Sequence, residues 1–280
     1  FSANSTTPCT GQTVSFSDNS TGSVTSWTWS FPGGTPATST SQNPTVTYNS
    51  AGIYSVTLTV SNGTTNSSLT RTNYISTLGN NLNVTENFEG GTFPSTNWSN
   101  VDVGNNSQAW TLYNGVGGFG TSNNCMYFYN YGWDAAGAHD ELLTPKMNAQ
   151  SYNSLTLTFD VAYQPYSLTS YIDSLQVLIS TNCGNSFTPL YTKWGSSLAT
   201  VTGTNTSSFV PTSAQWRTET INLNSYIGQS IIVSFRNIGR YGNNIFIDNI
   251  NFNATVLANA GVDATLAGVI ATGTTATRTT

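Results

Sequence analysis

Residues 27–36 read Trp27-Thr28-Trp29-Ser30-Phe31-Pro32-Gly33-Gly34-Thr35-Pro36. Asn43-Pro44-Thr45-Val46-Thr47-Tyr48 follows, and then Ala51-Gly52-Ile53-Tyr54-Ser55-Val56-Thr57-Leu58-Thr59-Val60. Large apolar side chains alternate with Ser and Thr, the period of a half-buried strand. Pro-Gly-Gly and Ala-Gly break the runs where antiparallel strands need turns. Strands at this spacing make a small β-sandwich. An earlier strand, Gly11-Gln12-Thr13-Val14-Ser15-Phe16, and a later one, Arg71-Thr72-Asn73-Tyr74-Ile75-Ser76, bound a first domain at residues 1–78.

Charged residues are 7% of the chain, against about a quarter in ordinary globular domains. Aromatic residues reach 12%, so the low charge does not signal disorder, which pairs low hydrophobicity with high charge. The composition suits sheets with neutral, hydrogen-bonding surfaces. The net charge of -5 weighs against nucleic acid and anionic membranes as partners. No apolar run is long enough to span a membrane, and no signal peptide is recognisable. The chain starts at Phe1, in mid-pattern, which reads as a processed or excised piece of something longer.

The Trp27–Gly34 run resembles the polycystic kidney disease (PKD) domain, an immunoglobulin-like module of secreted Bacteroidota proteins. Family forms carry Tyr-x-Trp-Asp-Phe-Gly-Asp-Gly where this chain has Trp27-Thr28-Trp29-Ser30-Phe31-Pro32-Gly33-Gly34. Both acidic positions are lost, so the resemblance implies no calcium in this domain.

Leu78-Gly79-Asn80-Asn81 forms a short polar junction that holds two domains in a semi-fixed relation. A second domain, residues 79–256, contains long period-two runs. Examples are Leu155–Tyr163, Ser174–Ser180, Trp216–Leu223, Ser230–Arg236 and Ile245–Phe252. These predict a larger sandwich, a jelly roll, so the fold class is all-β throughout. Residues 257–280, rich in Ala, Thr, Val and Gly, read as a linker or the start of a further domain.

Glu86-Asn87-Phe88-Glu89-Gly90-Gly91-Thr92-Phe93-Pro94 with Trp98 resembles the opening of the cleaved-adhesin and MAM-like jelly rolls. Asp140-Glu141-Leu142-Leu143-Thr144-Pro145, Phe159–Tyr163, Asp173–Gly184 and Gly242–Ile250 continue that likeness. The order of modules is similar to the C-terminal half of type IX-secreted Bacteroidota proteins, notably pappalysin-like zinc metalloproteases. It implies a secreted or outer-membrane cell-surface location in a Gram-negative bacterium. It also implies an upstream catalytic or adhesive domain and a downstream sorting domain.

No catalytic set is visible. A zinc protease needs two histidines one helical turn apart, and the chain has one, His139. It reads as a hydrogen-bonded loop or strand-edge imidazole, and no Gly-x-Ser-x-Gly elbow is present. Carboxylates such as Asp140, Glu141, Asp160 and Asp173 could formally serve glycoside hydrolysis. The expectation is a chain that is not itself an enzyme, with substrate presentation to an absent metalloprotease as the alternative role.

In so acid-poor a chain each carboxylate needs an explanation. Glu89, Asp140 and Asp248, with Asn87, are expected to hold a structural calcium near the strand ends. Turn capping, or pairing with Arg236 and Arg240, is the alternative. Aromatics in Gly-rich loops, Tyr131, Trp133, Tyr166 and Tyr241, suit stacking on sugar rings, with Tyr171 and Trp194 adding to the set. They are the expected surface for a glycan or protein ligand. Of three cysteines, Cys125 and Cys183 fall in the second domain and are read as the bonded pair, with three thiols as the alternative. Asp173-Ser174-Leu175 resembles a Bacteroidota O-glycosylation site at Ser174.

Overall fold

The structure, a computed structural model, describes residues 1–82, 84–95, 97–133, 137–150 and 152–256. The expected linker at 257–280 lies outside the described residues.

The first domain contains β1 (Ser2–Ala3), β2 (Thr13–Ser17), β3 (Ser26–Ser30), β4 (Gly34–Thr35), β5 (Thr38–Ser39), β6 (Thr45–Tyr48), β7 (Ile53–Ser61) and β8 (Asn66–Ser76). They form two four-stranded sheets, in the orders β1-β2-β6-β4 and β5-β3-β7-β8. The alternation seen in the sequence is the alternation of the pleat. Val14 and Phe16, Trp29 and Phe31, Val46 and Tyr48, Val56 and Leu58 point between the sheets and are buried. Trp29 stacks on Phe31 at 5.5 Å and donates from Nε1 to the Ser41 carbonyl at 2.9 Å. Its indole thus adds buried area without leaving an unpaired donor.

The second domain contains β9 (Asn80–Asn81), β10 (Thr85–Glu86), β11 (Ser99–Val101), β12 (Thr111–Asn114), β13 (Asn124–Phe128), β14 (His139–Leu143) and β15 (Met147–Asn148). The long strands follow: β16 (Tyr152–Tyr163), β17 (Ser174–Ser180), β18 (Thr188–Trp194), β19 (Arg217–Asn222), β20 (Ser230–Ile238) and β21 (Ile245–Val256). One sheet runs β12-β13-β21-β16-β19, with β10 also on β21. In the other, β14 and β15 share one edge of β20 and β17 takes the opposite edge. β11 then pairs with β14, and β18 with β17. The pairing is antiparallel except for β9 on β15.

Leu155, Leu157, Phe159 and Val161 meet Leu175, Val177, Val233 and Phe235 in the core of this jelly roll. At one open side, Glu219 of β19 joins edge strands of opposite sheets. Its carboxylate accepts Lys193 Nζ at 2.7 Å, Arg217 Nε at 2.8 Å and the Tyr191 hydroxyl at 3.1 Å.

The cysteine expectation is corrected. The disulfide joins Cys9 of the first domain to Cys183 in the β17–β18 hairpin, and Cys125 is a buried free thiol. The physical reason is the pleat. On β13, Cys125 faces the outside of its sheet and packs under Phe209, Trp216 and Phe246. Cys183 lies at the turn of a hairpin in the opposite sheet.

The disulfide does not act alone. Lys146 Nζ donates to the carbonyls of Pro8 at 2.6 Å and Thr77 at 3.1 Å, and Ser230 Oγ donates to the Leu78 carbonyl at 2.7 Å. Burial pulls the Lys146 ammonium down to about 8. Gly79 has φ +96°, and a Cβ there would lie 2.8 Å from the Lys146 carbonyl oxygen, so the junction requires glycine.

Peptide mapping is therefore expected to recover a Cys9–Cys183 crosslinked pair. Alkylation of the native, unreduced protein leaves Cys125 unlabelled, and unfolding without reductant exposes that single thiol. A linked Cys125 peptide contradicts the arrangement. Cys9→Ser is expected to speed proteolytic cutting at residues 77–82, because the junction then retains only its hydrogen bonds.

Candidate functional site

Three loops meet at one end of the jelly roll: the segment after β13, the β16–β17 loop and the β20–β21 loop. They bring together four tyrosines in a row. Tyr131 lies 6.3 Å from Tyr166, Tyr166 lies 5.9 Å from Tyr171, and Tyr171 lies 5.8 Å from Tyr241, measured between ring centroids. Successive rings are inclined by 57°, 83° and 64°, so the row is ridged rather than flat. Tyr171 and Tyr241 are 51% and 43% exposed, whereas Tyr131 and Tyr166 are half-buried.

The two exposed tyrosines have left-handed backbones, φ 57° at Tyr171 and 59° at Tyr241. For a bulky side chain this conformation costs about 1–3 kcal/mol and persists only where the surroundings enforce it. At Tyr241 it is Asp173, fully buried, that enforces it. Its carboxylate accepts the backbone amides of Arg240 at 2.8 Å, Gly242 at 3.2 Å and Asn243 at 2.6 Å, together with the Tyr163 hydroxyl at 3.3 Å. A Cβ on Gly242 would collide with this carboxylate and with the Tyr171 carbonyl.

Buried Asn243 and Asn244 secure the remaining loops. Asn243 accepts Phe209 N at 2.8 Å and donates to the carbonyls of Asn205 and Ser207. Asn244 accepts Tyr131 N at 3.3 Å and donates to Ser208 Oγ and the Phe209 carbonyl. The Tyr131 hydroxyl donates to Thr206 O at 3.2 Å. Beside the row, Pro165 and Leu168 face Ala199, Thr200 and Val201 across a cleft of about 310 Å³.

Of the residues expected to bind ligand, Tyr131, Tyr166 and Tyr241 join one surface, linked through Tyr171. Trp133 is 37% exposed on the Tyr131 loop and makes no ring contact with the row among the described residues. Asp173, Asn243 and Asn244 fall in the segments that carry the adhesin likeness, but nothing in the sequence signalled their role beneath the tyrosines. Ser174 is half-buried on β17, which is paired on both sides, and its neighbour Asp173 turns inward.

The four metal candidates are not brought together. Among the described residues no three His, Cys, Asp or Glu side chains converge. β10, which precedes Glu89, and the last strand, β21, are neighbours. Glu89, however, lies beyond β10 in an exposed turn, where it accepts the amides of Asn123 at 2.8 Å and Asn124 at 2.7 Å. Asn87 is exposed and its Oδ1 accepts Glu89 N. Asp248, fully buried, accepts Gly118 N and Ser122 Oγ, each at 2.6 Å, and Asn249 N at 2.7 Å. Asp140 belongs to the opposite sheet.

Asp140 differs from the others in one respect. It is fully buried, Asp102 hydrogen-bonds beside it, and its Oδ2 has no partner. Asn100 Oδ1, also buried, lacks a partner too. The β11–β14 register runs Ser99↔Leu143, Asn100↔Leu142, Val101↔Glu141, so Asn100 and the Asp102–Asp140 pair share one face of the sheet. Both Asp248 oxygens, and Oε1 of Glu89, already accept protein donors.

His139 is half-buried 3.9 Å from Glu141, whose carboxylate is also bound by Arg236. Burial and the Arg236 charge pull the imidazole pKa down.

Residues 1–75 match the PKD domain family model. No curated protein matches the chain. Among solved structures, the chain is similar to the K1 cleaved adhesin domain of Lys-gingipain from Porphyromonas gingivalis W83. That match has 23% identity and a TM-score of 0.43, covering 61% of this chain and 98% of that one. The K3 cleaved adhesin domain of the same protein matches at 20% identity and TM-score 0.43, again over 61% and 98%. A carbohydrate-binding module specific for non-crystalline cellulose, CBM28, matches at 14% identity and TM-score 0.40, over 60% and 92%.

Burial pushes Asp140, Asp173 and Asp248 each up to about 6 from 3.8. A native state with raised pKa values binds extra protons between about pH 4 and 6, so stability falls as pH rises through that window. In chelator, the melting temperature is expected to be higher at pH 5 than at pH 7. Asp173→Asn is expected to flatten part of this dependence. A melting temperature that climbs steadily from pH 5 to 7 would show that these carboxylates are not strained by burial.

Proposed function

We propose that this chain is a non-catalytic binding region of a secreted or cell-surface protein, with the PKD domain as spacer and the tyrosine row as the recognition surface for a glycan. The carrying observation is the pair Tyr171 and Tyr241. Both rings are exposed, in contact and on left-handed backbones, and a buried carboxylate holds the amides on either side of Tyr241. Aromatic rings presented to solvent at such a cost suit the apolar faces of sugar rings. Hydroxyls and amides around the row are the donors and acceptors that sugar hydroxyls need. The ridged profile favours a bent or branched chain over a flat crystalline face.

The disulfide supports an oxidising, extracytoplasmic setting. No described helix is long and apolar enough to cross a membrane. The single histidine, engaged with Glu141 near Arg236, supports the reading that chemistry lies elsewhere. Presentation of glycosylated substrate to a metalloprotease domain outside this chain would use the same surface.

A structural calcium is part of this proposal, now placed at Asp102 and Asp140 rather than at Glu89 and Asp248. There the ion would neutralise two adjacent carboxylates and engage Asn100 Oδ1, tying β11 to β14.

Glycan-array screening is expected to give hits that weaken with Tyr171→Ala and Tyr241→Ala, each by roughly tenfold, about 1.4 kcal/mol. A blank array, or hits indifferent to both changes, removes the glycan reading. Chelation is expected to lower the melting temperature by several degrees at pH 7, and Asp140→Asn to abolish that response. An unchanged melt in chelator removes the calcium.

A further inference from the structure

The first domain protects its sheet edges unevenly. Edges β1, β4 and β5 are two residues each. The fourth edge, β8, is 11 residues long and exposed over its first eight. Open edge strands present unpaired amides and carbonyls, and proteins blunt them by shortness, charge or proline. β8 has no proline and only one charge, Arg71. That guanidinium lies 5.2 Å over Phe1 and 5.1 Å over Tyr74 rather than guarding the edge. Near the far end of the strand, Ser76 N donates to the Thr6 carbonyl at 2.8 Å. The stretch Asn66–Asn73 makes no cross-edge pairing in the described residues beyond β7.

We infer that β8 is a strand-pairing surface for a second copy of this chain, joined antiparallel about a two-fold axis through Leu69. The sequence of the strand is self-complementary in that register and in no neighbouring one. Centred on Leu69, the two leucines, each 49% exposed, cover one another. Ser68 then meets the second copy's Thr70, and Arg71 meets its Ser67. Centring on Arg71 would oppose two like charges, and centring on Ser68 or Thr70 would leave Leu69 against a polar side chain.

The outer face supports the same register. Rows Thr28–Thr59–Ser68 and Ser30–Thr57–Thr70 cross the sheet, with Thr57 Oγ1 at 2.8 Å from Thr70 Oγ1 and Thr59 Oγ1 at 3.0 Å from Ser68 Oγ. Pairing Ser68 with Thr70 continues both rows into the second copy without interruption. Charge does not oppose the approach, because Asp18 and Arg71 are the only charged side chains in the first 80 residues and they cancel. A cyclic two-fold pairing also closes on itself, so it consumes both open edges and stops at a dimer.

Sedimentation velocity of the whole chain over a concentration series tests this. A dimer is expected to grow with concentration and to disappear in Leu69→Lys and in Leu69→Glu, with melting temperatures close to the parent. Mixing those two variants is expected to restore a dimer, because unlike charges then meet across the axis. Leu69→Cys is expected to crosslink under mild oxidation while Ser67→Cys does not. A chain that stays monomeric throughout overturns the inference. So does a dimer that persists in Leu69→Lys, or a Lys and Glu mixture that stays monomeric while the parent dimerises.

Discussion

The constraint on which this structure depends is the burial of carboxylates in a chain with seven lysines and arginines in 280 residues. Asp140, Asp173 and Asp248 are all fully buried, and ion pairing is not what holds them. Asp173 and Asp248 instead collect backbone amides from loops 67 to 130 residues away in sequence. Each such bond to an ionised acceptor is stronger than a neutral one and fixes the donor loop firmly. The arrangement explains two glycines that turn chemistry alone does not. A Cβ at Gly118 would sit 2.7 Å from Asp160 Oδ2 and 3.2 Å from Asp248 Oδ2, and one at Gly242 would strike Asp173. Lys193, Arg217 and Arg236 serve Glu219 and Glu141 on strands instead.

The domain junction turns this rigidity into a direction. On β20, Ser230 bonds the junction carbonyl of Leu78, and the strand runs from there to Ile238 beside the tyrosine loops. β17 runs oppositely, from Ser174 beside Asp173 to Ser180 near Cys183. The tyrosine end and the tethered end are thus the two ends of the same strands, about 25–30 Å apart at 3.4 Å per residue. A disulfide and the half-buried Lys146 ammonium hold the first domain at the tethered end. The tyrosine row therefore points away from its support.

The period-two runs made most of the fold legible. Trp29, Val46, Tyr48, Val56 and Leu58 are core because they alternate with Ser and Thr, and β16, β17, β20 and β21 fall where the long runs stand. The loops were legible in composition only. Tyr131, Tyr166 and Tyr241 stood out as aromatics among glycines, but their meeting depends on Asp173 reaching amides some 70 residues away, which local pattern cannot encode. The cysteine pairing failed for a related reason. Assigning Cys125 to Cys183 assumed that bonds stay within a domain, while the face on which Cys125 lies follows from a register that spacing does not reveal. The calcium expectation took strand neighbours correctly, as β10 and β21 are paired. Glu89, however, lies past the end of β10, beyond the pairing.

The outer face of the six-stranded sheet is closed through the same residues that shape the tyrosine loops. A sandwich has two outer faces as well as its loop ends, and either face could in principle carry a ligand. On the six-stranded sheet, Cys125, Ala162 and Phe246 turn outward, and Phe209 and Trp216 from the long β18–β19 connection close over them. Phe246 contacts Tyr127 at 5.5 Å and Phe209 at 6.1 Å, so this face is a second small core rather than a platform. The connection that closes it is anchored by Asn243 and Asn244, the same residues that shape the tyrosine loops. Covering the face and building the row are therefore one structural act: the amides that seal Phe209 over the sheet also set the floor from which Tyr131 and Tyr241 project.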